Sequence, residues 1–253
     1  MDPPTYIDGH GLLAGRTVLV TAAAGAGIGF ATAKRVVEEG ARVVISDAHA
    51  RRLSEAADQL DVVAAIVCDV TDTAAVDHLI DAAATATGGL DVLVNNAGLG
   101  GTDYLVDMTD DQWDKVLDVT LNGTFRCTRA ALRHMRTRGR GVIVNNSSVL
   151  GWRAQAGQAH YAAAKAGVMA LTRCAAIEAA EFGVRVNAVA PSLAMHPFLS
   201  KVTSDEVLDE LTQREAFGRA AEPWEVANVI VFLASDYSSY LTGEVVSVSS
   251  QRA

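Results

Sequence analysis

Seven short runs rich in Val, Ile, Leu and Ala punctuate the chain, at residues 17–21, 42–47, 62–70, 91–95, 141–145, 185–190 and 244–248. Each is short, apolar and β-branched, and reads as a buried strand. Longer stretches with helical periodicity lie between them, at 28–39, 73–86, 110–136, 161–182 and 223–235. Successive parallel strands need crossovers packed on the sheet faces, and this alternation supplies them. The pattern predicts an α/β fold, a single doubly wound, Rossmann-like domain with a seven-stranded parallel sheet covered on both faces. At 253 residues the chain buries such a core without a second domain.

The domain is expected over residues 17–253. Residues 1–16, with Pro3, Pro4, Gly9, Gly11 and Gly15, read as an irregular extension laid over a partner subunit or the substrate mouth. In a doubly wound sheet ligands bind beyond the carboxyl ends of the strands, so chemistry is sought there. Residues 192–217 follow a strand and have a mixed pattern, which marks them as a substrate lid.

Composition narrows the partners. Half the residues are hydrophobic and a fifth charged, a globular balance, and the formal net charge of −9 repels nucleic acid and anionic membrane surfaces. Cys68, Cys127 and Cys174 are scattered without metal-ligand spacing, so reduced thiols and no metal site are expected. With no secretion signal and no apolar run of membrane-spanning length, the expected location is the cytoplasm.

After the first run comes Thr21-Ala22-Ala23-Ala24-Gly25-Ala26-Gly27-Ile28-Gly29. Glycines in a strand-to-helix turn let the backbone approach a pyrophosphate, which the helix N-terminus stabilises; they also serve plain packing. Ala24, Gly25, Gly27, Ile28 and Gly29 are the expected contacts. Asp47 ends the second run twenty residues after Gly27, where a carboxylate accepts from the adenosine ribose hydroxyls and repels a 2′-phosphate. NAD is therefore expected over NADP. A helix N-cap is the alternative role for Asp47, and Arg51 and Arg52 read as solvated first-turn residues. Asp69 with Val70, after the third run, and Asn96, Ala97 and Gly98, after the fourth, continue the cofactor groove, with Asp69 toward the adenine and Asn95 tying neighbouring strands.

Tyr161-Ala-Ala-Ala-Lys165 stands in a helical, Ala-rich stretch, so its i,i+4 spacing puts phenol and ammonium on one face. A neighbouring cation favours a phenolate, so Lys165 is expected to lower the tyrosine pKa from about 10. Ser148, at the end of the fifth run, is placed to share a substrate oxygen with Tyr161. The implied step is proton exchange by Tyr161, polarisation by Ser148 and tuning by Lys165, with Tyr161 and Lys165 also bordering the nicotinamide.

These segments together resemble the short-chain dehydrogenase/reductase family over residues 17–248. The glycine turn, Asn95-Asn96-Ala97-Gly98, Ser148, Tyr161-x-x-x-Lys165, Asn187-Ala-Val-Ala-Pro191 and Gly218-Arg219 through Leu241-Thr-Gly243 carry the resemblance. It implies nicotinamide at the carboxyl edge, with Pro191 and Ser192 beside it, and a homotetramer. The chain departs from the family in four places. The glycine turn is one residue longer, with alanine at its first glycine. Thr120 replaces the family's catalytic asparagine, a role that Asn122 does not inherit. Ser192 and His196 stand where glycine and a carboxamide-binding threonine are usual, and Ser249-Ser250 replaces a terminal Gly-Gly.

With Ser148-Val-Leu-Gly-Trp152-Arg153, the turn and lid most resemble dehydrogenases of bacterial steroid catabolism that act on a bicyclic indane carried as a coenzyme A thioester. That resemblance implies a small-molecule substrate, here an acyl-CoA. Leu99-Gly100-Gly101, Trp152 and Phe198 would line a ring pocket and Arg153, Lys201 or Arg214 would meet coenzyme A phosphates, although each also fits ordinary packing or solvated surface. A reductase of linear 3-oxoacyl groups and a non-catalytic nicotinamide-binding sensor are the competing expectations.

Overall fold

The computed structural model describes residues 2–195 and 205–250, apart from the side chains of 205–207. Seven strands, β1 (Thr17–Thr21), β2 (Arg42–Asp47), β3 (Ala64–Val67), β4 (Val92–Asn95), β5 (Gly141–Asn146), β6 (Val184–Pro191) and β7 (Val245–Val248), form one sheet. Its order is β3-β2-β1-β4-β5-β6-β7 and every pairing is parallel. The helices are α1 (Ile28–Glu38), α2 (Ala50–Ala57), α3 (Thr73–Thr87), α4 (Asp110–Leu117), α5 (Gly123–Arg138), α6 (Ala159–Ala180), α7 (Asp205–Gln213) and α8 (Pro223–Ala234). The strand order reverses between β1 and β4, which opens a crevice at the carboxyl edge.

Strand alternation builds two cores. Val18, Val20, Val43, Ile45, Val92, Val94 and Val144 face α1 and α8, whereas Leu19, Val44, Leu93, Ile143 and Val186 join a cluster that holds side chains of α3, α5 and α6. Each buried Val, Leu or Ile contributes roughly 1.5–3 kcal/mol. Local chemistry sets the helix starts. Asp72 caps α3 by accepting from the Ala74 and Ala75 amides, Thr109 and Gln112 form a capping box on α4, and Pro223 opens α8 behind a Glu222–Glu225 box.

Two expectations are corrected and two gain detail. The third strand covers only Ala64–Val67, because this edge strand alternates half-buried and exposed and the chain turns away at Cys68. The run at 110–136 is a helix interrupted by a π-helical turn, Asp118–Asn122, between α4 and α5. The lid region contains α7, and its limbs are joined at the base by a parallel bridge between Ala194 and Ala221. The N-terminal extension packs on its own chain, against α1 and the first turn of α8. Tyr6 stacks edge-on against Trp224 at 5.3 Å and donates to Glu38, and the His10 and Leu12 amides donate to Glu39 at 2.9 Å. Glu38 and Glu39 lie at the C-terminal end of α1, which runs back to the amino edge of the sheet, and Trp224 lies in the first turn of α8.

Candidate active site

At the first carboxyl end, Ala22 holds a left-handed backbone (φ 49°), which costs a non-glycine residue roughly 1–2 kcal/mol. Its surroundings hold it there: the Ala22 carbonyl accepts from Asn96 Nδ2 at 3.0 Å, the Ala23 amide donates to Ser46 O, and the Ala24 amide donates to Asp47 Oδ2 at 3.3 Å. Gly25 follows at φ 99° with open space before it. A Cβ on Gly29 would lie 2.2 Å from the Ala22 carbonyl and 2.4 Å from Asn96 Nδ2, so only glycine lets α1 approach this closely. Gly27 caps α1 without a side-chain bond, leaving the amides of the first turn without a capping side chain. This geometry suits the pyrophosphate of a dinucleotide.

Asp47 is nearly buried at the end of β2. Its Oδ1 accepts from the His49 amide at 2.9 Å, while His49 is itself the N-cap of α2 and makes no side-chain bond. Burial pushes the carboxyl above its usual range against the pull of the Ala24 amide and the Arg52 charge. A carboxylate offers about four acceptor sites, so the two amides leave it room for a diol. Arg51 is spent on an exposed ion pair with Glu55. Asp69, exposed, closes its own turn by accepting from the Thr71 amide and hydroxyl. Val70 packs inward, where a Cβ on Gly123 would strike it at 2.6 Å. Asn95 bridges β4 to β5 and α5 through Asn145 and Thr128, and Thr21 Oγ1 accepts from the Asn96 and Ala97 amides.

Ser148, Tyr161 and Lys165 come together beyond β5. Ser148 is extended, its Oγ accepting from the Leu150 amide at 3.2 Å, which leaves its proton for the Tyr161 phenol. Ser147 Oγ donates to the Lys165 carbonyl at 2.9 Å and so ties the strand end to α6. Lys165 Nζ lies 5.5 Å from the Tyr161 ring centroid and donates to the Asn146 carbonyl at 2.6 Å. Lys165 does not lower the tyrosine as expected. Burial pushes the phenol up to about 12, with the Ser148 hydrogen bond pulling the other way, and burial draws the Lys165 ammonium down to about 8. Desolvation of both groups outweighs their mutual field.

Thr120, fully buried in the π-helical turn, spends its hydroxyl on Leu99: it accepts from the amide at 2.9 Å and donates to the carbonyl at 3.1 Å. It thus holds the loop of Gly98, beside Lys165 Nζ, and Gly100, beside the Tyr161 ring. The loop's other side is fixed at the start of α6, where Gln158 Nε2 donates to the Gly101 carbonyl at 2.7 Å and the Asp103 amide donates to Gly157 O. The sequence reading missed Gln158 and Asn146, whose partners lie 57 and 50 residues away.

Pro191 ends β6 in register with Val248, and the Ser192 amide donates to the Val248 carbonyl. In place of Gly-Gly, Ser250 Oγ donates to buried Glu215 at 2.7 Å, joining the lid's far end to β7. Trp152 and Phe217 are half exposed, and Arg214 pairs with Glu210 on the lid. His196, Phe198 and Lys201 lie outside the described residues. Among those described, no helix is long and apolar enough to cross a membrane.

The chain matches, over residues 22–250, the family described as Enoyl-(Acyl carrier protein) reductase. It is 67% identical to a Mycobacterium tuberculosis protein named (5R,7aS)-5-hydroxy-7a-methyl-1-oxo-2,3,5,6,7,7a-hexahydro-1H-indene-carboxyl-CoA reductase, over 98% of this chain and 97% of that one. It is 44% identical to a cis-4-hydroxycyclohexanecarboxylate dehydrogenase of Sinomonas cyclohexanicum, over 92% and 94% of the two chains. A crystal structure of a short chain dehydrogenase from Mycobacterium smegmatis superposes with a TM-score of 0.89 at 64% identity, covering 100% of this chain and 99% of that one.

Proposed function

This chain belongs to the short-chain dehydrogenase/reductase family of oxidoreductases, and on that premise we propose that it interconverts a ring hydroxyl and a ketone on a cyclic acyl-CoA, with NAD(H) as its cofactor. The observation that carries the chemistry is the convergence of Ser148, Tyr161 and Lys165 beside the cofactor turn. The two relatives named for cyclic substrates support the substrate class.

When bound, the nicotinamide supplies or takes up the hydride. Tyr161 gives its proton to the oxygen of the ketone as negative charge develops there, and a phenol near 12 remains fully protonated for this at neutral pH. In the reverse direction the phenol must be drawn down, and the positive charge of an oxidised nicotinamide would act in that sense. Ser148 donates to the same oxygen and orients it. Lys165, anchored on Asn146, sets the field beneath Tyr161 and is placed to hold a ribose hydroxyl. Asp47 takes the adenosine diol, and its charge favours NAD over NADP. The amides of the first α1 turn would hold the pyrophosphate, with Asp69 and Val70 beside the adenine and Pro191 and Ser192 beside the nicotinamide.

The same reading makes the protein a cytoplasmic homotetramer. Its three cysteines are free thiols, suited to a reducing compartment, and Phe125 on α5, Ile177 on α6 and Phe232 on α8 present exposed apolar side chains suited to subunit contacts.

The test is nicotinamide absorbance over time with paired cyclic and linear acyl thioesters, wild type against Tyr161→Phe. Turnover of the cyclic thioester alone, lost in the variant, is expected. Preference for the linear thioester would move the protein to the 3-oxoacyl reductases. Nucleotide binding without turnover of either would leave a sensor, and tighter binding of NADPH than NADH would overturn the role of Asp47.

A further inference from the structure

A chain of amides crosses the carboxyl edge of the sheet and ends on the lysine. The Ala22 carbonyl accepts from Asn96 Nδ2 at 3.0 Å, and Asn96 Oδ1 accepts from Asn146 Nδ2 at 2.9 Å. The backbone carbonyl of Asn146 in turn accepts from Lys165 Nζ at 2.6 Å. Three strand ends are joined in this way: β1 through Ala22, β4 through Asn96 and β5 through Asn146.

The direction of the chain is forced. A carbonyl oxygen only accepts, so Asn96 must turn its NH2 toward Ala22, which leaves its Oδ1 for Asn146. Asn146 must then present its own NH2 and keep its oxygen at the far end. That oxygen, Asn146 Oδ1, is buried and has no hydrogen-bond partner. A buried acceptor left bare destabilises a protein, a cost that an aliphatic side chain of similar shape avoids. Such an acceptor beside a ligand site points to a donor brought by the ligand.

Two neighbours sharpen the assignment. Thr120 has no proton left to donate to a ligand, because its one O–H goes to the Leu99 carbonyl. Lys165, only 3% exposed, has three N–H donors, and its hydrogen bond among the described residues goes to Asn146. The titratable group against the lysine is Tyr161 on the same helix. Asn146 on β5 and Gly98 and Thr120 beside it carry no charge.

Resting on the oxidoreductase reading above, we infer that Asn146 is a positioning residue that sets Lys165 relative to the cofactor turn, and that its bare Oδ1 accepts from a sugar hydroxyl of the bound nicotinamide nucleotide. The tie moves the turn and the lysine as one unit, so nucleotide binding and lysine placement are coupled through one residue, its side chain on Asn96 and its backbone carbonyl on Lys165.

The test compares wild type, Asn146→Leu and Asn146→Asp by NADH fluorescence titration and by the pH profile of kcat/KM. Leucine removes both the tie and the acceptor; it is expected to weaken NADH binding about tenfold, to leave the KM for the thioester within about twofold, and to move the alkaline limb to lower pH. Aspartate places an anion near the ammonium and is expected to move that limb to higher pH. A purely structural role would not move the limb in opposite directions. If Asn146→Leu does not fold, Asn146→Ser is too short to reach Asn96 and is read by the same two measurements. Variants that bind NADH as wild type does, with unmoved limbs, would overturn the inference while leaving the oxidoreductase reading intact. A wild type that binds no nicotinamide nucleotide would sink that reading and the inference together.

Discussion

Arg35 and Lys165 are equally hidden from solvent, at 2% and 3% exposure, yet they lie at opposite ends of the sheet and are treated differently. Toward the amino edge, Arg35 donates to Asn228, Glu38, Glu39 and the Ile7 carbonyl. Nearby, Arg185 reaches the carbonyls of Leu233, Ser235 and Leu241, and Asp91 accepts from Arg138 and the Thr17 amide. At the carboxyl edge, Lys165 has the Asn146 carbonyl, and Asn146 Oδ1 has nothing. The amino edge offsets much of the cost of burying charge with partners, although burial still draws Arg185 below its usual range, so most of its polar groups serve stability. The carboxyl edge leaves that cost standing, and it appears as displaced proton affinities: Tyr161 near 12 and Lys165 near 8.

The contrast breaks first at Tyr161. Tyr161→Phe removes the proposed proton-transfer group and is expected to lower kcat by about 100- to 10,000-fold, while the melting temperature stays at or above the wild-type value because a desolvated hydroxyl is lost. A large drop in melting temperature would show that the tyrosine serves the fold instead.

The mirror experiment is Glu39→Ala. It takes one of two carboxylates from Arg35, which keeps Glu38, and strands the His10 and Leu12 amides, so the loss approaches, without exceeding, the roughly 3–5 kcal/mol of a broken buried ion pair. Urea unfolding should show this loss, with kcat of the folded fraction unchanged. Although burial pulls Glu39 upward, the Leu12 and His10 amides and Arg35 hold it below the usual carboxylate range. Its contribution is therefore present above the unfolded pKa and lost as pH falls through the folded value. The acid limb of wild-type stability should weaken in Glu39→Gln.

How much of this was legible in the sequence follows from how local each signal is. Residues 17–21 and 42–47 are continuous β-branched runs whose strand bounds follow directly, and the parallel order follows from the alternation with helices. Tyr161 and Lys165 share a helix face by spacing alone. The π-helical turn at Asp118–Asn122 has no proline or glycine inside it to announce it, and it is what aims Thr120 at Leu99. Asn146 reads locally as an ordinary strand end, and its meaning depends on Asn96, which the fold supplies from a different strand. The packing of the extension was hidden for the same reason: nothing near Tyr6 predicts Trp224. The expected lowering of Tyr161 considered charge and spacing, whereas burial, which only the fold determines, has the larger effect.

A smaller effect sharpens the carboxyl-edge side through pH. Lys165 titrates near 8 in the fold against an ordinary 10.5, so between those values the unfolded chain binds more protons and stability rises with pH. Tyr161 acts in the opposite sense above pH 10, where the unfolded phenol loses its proton first and stability falls. Melting temperatures measured from pH 7 to 10 should therefore show a rise in wild type that Lys165→Met lacks. Identical slopes would mean that the lysine ammonium is solvated in the folded protein.

The smallest effect marks where the amino-edge rule stops. Arg138 and Arg140 both approach Asp91, at 3.0 and 3.4 Å, but the Arg138 side chain is 20% exposed and that of Arg140 is 61% exposed. Pairing alone predicts comparable losses on truncation; desolvation predicts a sharp difference. A solvent-exposed pair is screened and gains about 0–1 kcal/mol, so Arg140→Ala should barely move the urea midpoint at physiological salt. Arg138→Ala should cost more, because it takes the closer hydrogen bond from buried Asp91 and removes a guanidinium packed against Gly89. Equal losses for the two variants would mean that proximity to Asp91, rather than burial, makes the amino edge stabilising, and the contrast with Lys165 would then need another cause.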